Sequence, residues 1–110
     1  MRTDIEIIKG DNGFDLFFVL QNYEGNALSL NTVSNIYFKV QKSGEEILSF
    51  TGDMEVIDGS NGEVKYSVEQ NNFSEEGRYY AEIEINFNNG QIITYDDILI
   101  KVKSDLPKEI

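Results

Sequence analysis

The clearest fold signal in the sequence is the stretch Gly77-Arg78-Tyr79-Tyr80-Ala81-Glu82-Ile83-Glu84-Ile85-Asn86-Phe87. Apolar and polar residues alternate through it with a period of two, the pattern of a strand with one buried face and one exposed face. The odd-numbered residues from 79 to 87 are predicted to face the core. The even-numbered residues from 80 to 86 are predicted to face solvent or a partner.

The same alternation continues on both sides of this stretch, interrupted by turns rich in glycine, asparagine and aspartate. No segment keeps the spacing of an amphipathic helix. The sequence predicts strands at 3–8, 14–20, 36–41, 47–50, 54–57, 63–68, 77–87 and 91–103. Such a set of seven or eight short strands predicts an all-β fold, an immunoglobulin-like antiparallel β-sandwich, with a small barrel as the alternative closure.

The last predicted strand contains a conflict at Asp96. If Ile98 and the alternating residues after it face the core, strict alternation also turns the Asp96 carboxylate inward, where an unpaired charge is costly. A β-bulge at Asp96-Asp97 would remove the conflict, because one extra residue lets Tyr95 and Ile98 both face the core. The sequence leaves the bulged and the regular strand open.

A turn followed by a tyrosine, Glu76-Gly77-Arg78-Tyr79, opens the penultimate strand. Immunoglobulin-like domains place a tyrosine corner at this point. The chain has no cysteine and no tryptophan. It therefore departs from the antibody pattern and suits the members of this architecture that lack a disulfide.

The two ends of the chain set the expected domain boundaries. The sandwich is expected to span 1–103, and the polar segment 104–110, which contains Pro107, is expected to be a C-terminal tail or linker. At the N-terminus, Asp4 and Glu6 interrupt any apolar run after Arg2, so the start does not resemble a signal peptide. Synthesis in the cytoplasm is expected.

Composition argues against most kinds of catalysis. The 110 residues include 9 lysines and arginines, 20 aspartates and glutamates, no histidine and no cysteine, for a net charge of −11. The chain therefore lacks a Ser-His-Asp triad, a cysteine nucleophile, and the imidazole and thiolate ligands of zinc sites. We expect no enzyme and no cofactor. Because the negative charge repels phosphate backbones and anionic lipids, we expect neither a nucleic-acid partner nor a membrane partner.

Three segments offer weak alternatives as ligand sites. The turn at 58–63 has oxygen ligands for calcium but lacks the EF-hand pattern, and a hairpin turn needs the same residues. The loop at 9–13 contains glycines but leads into a strand, without the helix N-terminus of a phosphate site. Finally, carboxylates face one another across the last hairpin and could form a cation site or a catalytic pair, although such residues commonly keep an edge soluble. These carboxylates are Asp96 and Asp97 with Glu82 or Glu84.

Outward-facing aromatic and aliphatic residues form the candidate interface. Phe17 and Val19 share one face of segment 14–20, whose apolar residues on both faces predict a central strand. If neither the second sheet nor a loop covers them, they form an apolar patch for a protein partner. Tyr37 and Tyr80 face outward on other strands and complete the predicted interface. The alternative role of these two tyrosines is stacking on sugar rings, as in carbohydrate-binding sandwiches.

Six short patterns follow one another along nearly the whole chain: Ile5-Glu6-Ile7-Ile8-Lys9-Gly10-Asp11, Ile36-Tyr37-Phe38-Lys39-Val40, Asp58-Gly59-Ser60-Asn61-Gly62-Glu63-Val64-Lys65-Tyr66, Glu76-Gly77-Arg78-Tyr79-Tyr80-Ala81-Glu82, Asn89-Gly90 and Ile98-Leu99-Ile100-Lys101-Val102. Each is generic alone. Their order and spacing resemble the N-terminal immunoglobulin-like domain of the baseplate upper protein family, which occurs in tail and host-adhesion devices of phages of Gram-positive bacteria.

The resemblance implies a non-enzymatic structural protein of the phage virion. It implies docking onto other virion or baseplate proteins and a homo-oligomer in the assembly, and it supplies no catalytic or ligand-binding residue. A carbohydrate-binding or adhesive sandwich that contacts the host surface is the alternative. Typical members continue into a helical stalk where this sequence ends at Ile110, so we expect either a domain cut at its boundary or a stand-alone relative, in the baseplate or as a capsid or tail accessory.

Overall fold

A computed structural model describes residues 3–104, and eight strands account for the secondary structure of this range. None of the described residues forms a helix long and apolar enough to cross a membrane. The strands are β1 (Thr3–Ile8), β2 (Asp15–Val19), β3 (Val33–Lys42), β4 (Phe50–Asp53), β5 (Glu55–Asp58), β6 (Glu63–Ser67), β7 (Gly77–Phe87) and β8 (Ile92–Lys103).

The strands form two sheets. One has five strands in the order β1-β8-β7-β3-β4, and the other has three in the order β2-β6-β5. All neighbours are antiparallel except β1, which runs parallel to β8. The grouping of the second, sixth and fifth strands against the third, seventh and eighth is the immunoglobulin arrangement of strands B, E and D against C, F and G. The predicted immunoglobulin-like sandwich is confirmed, and the two sheets do not close into a barrel.

The core lies between the two sheets and follows the predicted alternation. On β7 the residues Tyr79, Ala81, Ile83 and Ile85 are buried. Aromatic rings join the two layers at the centre of the core. The ring of Phe38, which is fully buried, lies 4.9 Å from the ring of Tyr66 on the opposite sheet. These contacts fix which faces of the two sheets remain outside.

The predicted bulge at Asp96-Asp97 is present. Ala81 pairs with Ile98 and Ile83 pairs with Tyr95, so one extra residue of β8 lies opposite β7. Asp97 adopts a left-handed backbone conformation with φ of 70°. Tyr95 packs against the core while Ile98 is buried, and both aspartates are exposed. The cost of burying a carboxylate is thereby avoided.

The tyrosine corner is also present. The Tyr79 hydroxyl donates a hydrogen bond of 2.8 Å to the Glu75 carbonyl oxygen, four residues back along the chain. The buried tyrosine thereby satisfies its polar atom locally. The Glu75 carboxylate in turn binds the Lys42 ammonium at 2.9 Å, which joins this corner to the end of β3.

Two predictions about strands are wrong. The strand predicted at 47–50 is displaced, because β4 begins only at Phe50 and Ile47 and Leu48 are exposed in the preceding loop. The segment predicted as a central strand is β2, and β2 lies at the edge of the three-stranded sheet. Apolar residues on both of its faces predicted a central position, whereas β2 has only β6 as a neighbour within residues 3–104.

The domain boundary at 103 stays a prediction. β8 ends at Lys103, and Ser104 follows it outside any strand. The rest of the predicted tail, 105–110, lies outside the described residues.

Candidate protein-docking surface

The four residues of the predicted interface lie on two different faces. Phe17 and Val19 project from β2 on the outer face of the three-stranded sheet, because Phe18 between them is buried. Tyr37 on β3 and Tyr80 on β7 project from the outer face of the five-stranded sheet. Since the sheets pack through their inner faces, these outer faces point in opposite directions. The structure therefore does not bring the four residues together.

The outer face of the three-stranded sheet carries three exposed apolar residues, which we call the β2 patch: Phe17 and Val19 on β2 and, across β6, Ile57 on β5. The exposed fractions of these residues are 67%, 61% and 47%. Phe17 lies opposite Lys65 in the register of β2 with β6, and Val19 lies opposite Glu63. Large apolar side chains that stay open to solvent on one sheet face are typical of an interaction surface.

Sequence reasoning missed Ile57. Its neighbour Val56 pairs with Val64 in the core-facing register, and the register between β5 and β6 then shifts before Asp58. Ile57 follows the core-facing Val56 on the strand, so it faces outward and is exposed. The adjacent pair of aliphatic residues was the available signal, because one of two neighbours on a strand normally faces outward.

Charged groups near the β2 patch are already engaged with one another. The Asp15 carboxylate accepts a hydrogen bond of 2.7 Å from the Ser67 hydroxyl and lies 3.4 Å from the Lys65 ammonium. The hydrogen bond from Ser67 chiefly, together with the lysine, lowers the pKa of Asp15. The single charge on β2 is therefore held in place beside β6 rather than projecting over the open edge.

The backbone of β2 has one satisfied side and one open side. The Leu20 amide donates to the Gly62 carbonyl at 2.8 Å, and the Val68 amide donates to the Phe14 carbonyl at 2.8 Å. Residues that bond across an antiparallel pair alternate with residues that do not. The amides and carbonyls of Asp15, Phe17 and Val19 therefore point away from β6, where no strand of residues 3–104 pairs with them.

The opposite outer face carries a shallow depression beside Tyr80. Its volume is about 310 Å³. Tyr80 is 53% exposed, and Tyr37 is half-buried four residue pairs away along the β3–β7 pairing. The depression is lined by Lys39, Gln41, Leu48, Tyr80, Ala81, Glu82, Asp96, Asp97, Ile98 and Leu99.

An ion pair organises the polar part of this face. The Lys39 ammonium lies 2.6 Å from the Glu84 carboxylate. The hydrogen bond between them raises the pKa of Lys39 and lowers the pKa of Glu84, and the latter carboxylate also accepts a hydrogen bond from the Asn86 side chain. Glu84 is thus occupied and is not poised as a partner for another carboxylate.

The other two alternative sites form local turn contacts. The Asp58 carboxylate accepts hydrogen bonds from the Ser60 amide and from both the backbone and the side chain of Asn61. This bonding is that of an Asx turn at a hairpin. Within residues 3–104, no group of three or more carboxylates is placed to hold a metal ion. In the 9–13 loop the Gly10 and Gly13 amides donate to carbonyls of Phe73 and Val68, so they do not form a phosphate cradle.

Three comparisons place the chain among known proteins. A family model described as the BppU N-terminal domain matches residues 1–109. A search of curated proteins finds no match. Among solved structures, murine CRIg matches with 12% sequence identity and a TM-score of 0.41, and the match covers 94% of this chain and 92% of that chain.

Proposed function

The chain belongs to the baseplate upper protein N-terminal domain family, and on that premise we propose that it is a non-enzymatic assembly module that docks onto another phage virion protein through the β2 patch. The family consists of phage baseplate proteins, so the chain is a component of the virion. The docking surface and its use in this chain are our proposal.

The observation that carries the proposal is the exposure of Phe17 and Val19 next to an open strand edge. A protein interface needs apolar area at its centre and polar groups at its rim. The β2 patch supplies the first, and the ion pair of Asp15 with Lys65 supplies part of the second. Aromatic residues such as Phe17 are enriched at the core of such interfaces.

The proposal is tested by co-expressing the chain with the other baseplate proteins of the phage that encodes it, followed by size exclusion and calorimetry. We expect a stable complex. The double change Phe17→Ser and Val19→Ser should weaken docking at least about tenfold, because truncating central interface residues commonly costs 1–2 kcal/mol or more.

Ile92→Ser is the matched control, because Ile92 is a similarly exposed aliphatic residue on the other sheet, at 59%. It should leave docking unchanged, and neither variant should lower the melting temperature by more than a few degrees. Equal loss in both variants would show that general surface hydrophobicity, and not the β2 patch, holds the complex together.

A second candidate function, binding of a host glycan, is favoured by the depression beside Tyr80. An exposed aromatic ring bordered by Gln41, Glu82 and Asp96 offers a stacking surface and acceptors for sugar hydroxyls. The expected homo-oligomer could use the same face, since Tyr80 lies beside Leu99 there.

Tyr80→Ala separates these two uses of the face. A glycan site predicts that this change abolishes retention on host cell-wall polysaccharide, with molar mass by light scattering unaltered. A self-association surface predicts that the molar mass at micromolar concentration falls to that of a monomer. Phe17→Ala, on the opposite face, is the control for both measurements. If the wild-type chain is monomeric and binds no polysaccharide, neither use is correct.

A further inference from the structure

We infer that the open edge of β2 accepts an extended, basic segment of another virion protein as a fourth strand of the three-stranded sheet. This inference rests on the proposed function and specifies how docking occurs. It follows from the backbone of β2, from a comparison with the other sheet edges, and from the charge of the surrounding surface.

The backbone provides the donors and acceptors for strand addition. In the four-stranded version of this layer, a strand A lies beside strand B. Here β1 pairs with β8 instead, so within residues 3–104 the outer side of β2 has no neighbour. The amides and carbonyls of Asp15, Phe17 and Val19 point to this side. An extended segment could pair with them as in other cases of strand addition.

The other edges of the two sheets are protected and this one is not. Natural proteins place charges and bulges on edge strands to prevent pairing with other chains. Exposed carboxylates project from β1, β4 and β5, and β5 is also bulged. These carboxylates are Asp4 and Glu6 on β1, Asp53 on β4 and Glu55 on β5.

On β2 the corresponding positions are exposed apolar residues. Phe17 and Val19 stand where the other edges have carboxylates, and Asp15 is drawn toward Lys65 and Ser67. An edge that combines open backbone groups with large exposed apolar side chains is the type that pairs with another strand. Alternate side chains of an incoming strand would lie beside Phe17 and Val19 on the outer face.

Charge complementarity indicates what the incoming segment carries. The strands of this sheet contain four carboxylates and one lysine, and Asp11 and Glu24 flank β2 along the chain. The four carboxylates are Asp15, Glu55, Asp58 and Glu63. A segment that alternates apolar residues with lysine or arginine points its apolar side chains to the inner face, beside the half-buried Leu16. Its charged side chains then lie on the outer face with Phe17, near Asp15 and Glu63. A second copy of this chain is disfavoured at this edge, because the β2 strand that it would offer carries Asp15 and no basic residue.

Amide hydrogen exchange of the isotopically labelled full chain tests the inference directly. The probe is an acetylated, amidated heptapeptide that alternates lysine and valine, and the matched control peptide alternates glutamate and valine. The lysine peptide should slow exchange of the Asp15, Phe17 and Val19 amides at least tenfold and leave Leu16 and Phe18 little changed, since those two amides already bond to β6. The glutamate peptide should slow none of them.

Two substitutions at one position separate the backbone from the side chain. Phe17→Pro removes the outward amide donor without removing a bond to β6, and it should abolish the protection. Phe17→Ala keeps the donor and should retain protection at Asp15 and Val19 with weaker binding. If Phe17→Pro lowers the melting temperature enough to unfold the sheet, Val19→Pro applies the same test at the next outward donor.

The outcomes distinguish this inference from the proposed function. Absence of added protection with the lysine peptide overturns strand addition, even if the chain docks onto the baseplate proteins. Equal protection by the glutamate peptide would contradict the inference that the incoming segment is basic. Protection of the free chain that grows with protein concentration shows a second copy at the edge and overturns our choice of occupant. Protection by the peptide without docking onto baseplate proteins supports edge pairing and refutes the proposed function.

Discussion

Replacing Phe38 with alanine should lower the free energy of unfolding by about 3–5 kcal/mol, the range for removing a large aromatic side chain from a core. Phe38 is fully buried in β3. Its ring contacts the rings of Phe18, Tyr66 and Phe50, at centroid distances of 5.7, 4.9 and 6.5 Å. The substitution removes these contacts and opens a cavity between the two sheets.

Urea denaturation followed by circular dichroism measures this loss. The control is Phe17→Ala, which removes the same atoms from an exposed site and should change stability by only about 0.5 kcal/mol. Because domains of this size are stable by about 5–15 kcal/mol, this loss is a large fraction of the total stability and should clearly lower the urea concentration at the midpoint of unfolding. A loss below 1 kcal/mol would mean that the sheets do not meet at Phe38.

The second large effect is expected from Gly62→Ala, with a loss of about 3 kcal/mol or more. Gly62 has a φ of 70°, and a Cβ atom there would lie 2.4 Å from the Leu20 carbonyl oxygen and 3.0 Å from that of Leu28. The left-handed conformation alone costs an L-residue about 1–2 kcal/mol. The clash with backbone adds to this cost, because the same oxygen of Leu20 accepts the Leu28 amide at 2.9 Å and cannot move without breaking that bond.

Gly90→Ala separates the cost of the left-handed backbone conformation from the cost of the clash with Leu20. Gly90 has a φ of 90° in the β7–β8 hairpin, and a Cβ there would meet nothing within 4 Å. It should therefore show only the conformational cost, about 1–2 kcal/mol. The difference between the two variants, measured by thermal unfolding, reports the close approach of Gly62 to Leu20. Equal losses would contradict that approach.

Much of the fold could be predicted from the sequence because it depends on local alternation. β1 and β7 begin and end where predicted, and the bulge at Asp96-Asp97 could be anticipated because a regular strand would bury a carboxylate. In each case the residues of a single strand contain the information. The bulge could be proposed, but not chosen over a regular strand, since the register also depends on β7.

The order of strands in the sheets could not be predicted in this way. Whether β2 is central or at an edge depends on where β1 pairs, and that pairing joins Thr3 to Ile98 across nearly the whole chain. No residue within 14–20 indicates whether β1 pairs with β2 or with β8. The displacement of β4 has a similar cause. The apolar residues Ile47 and Leu48 suggested a strand at 47–50, but β4 pairs with β3 only from Phe50 onward.

The same limit applies to the candidate site. Alternation predicted that Phe17, Val19, Tyr37 and Tyr80 face outward, and the structure agrees for each of them. Alternation could not show that Phe17 and Val19 lie on one sheet while Tyr37 and Tyr80 lie on the other. Ile57 was missed although Val56 and Ile57 are neighbours on one strand, so that one of the two had to face outward.

The parallel pairing of β1 with β8 has a mechanical consequence. A force that separates the two ends of the domain pulls β1 from its start and β8 from its finish, so the strands are loaded along their length and in opposite directions. The six paired positions from Thr3 with Ile98 to Ile8 with Lys103 then bear the load together. A pair peeled from one end would instead lose its hydrogen bonds one at a time. Tension between its ends is therefore the direction in which this sandwich resists rupture best.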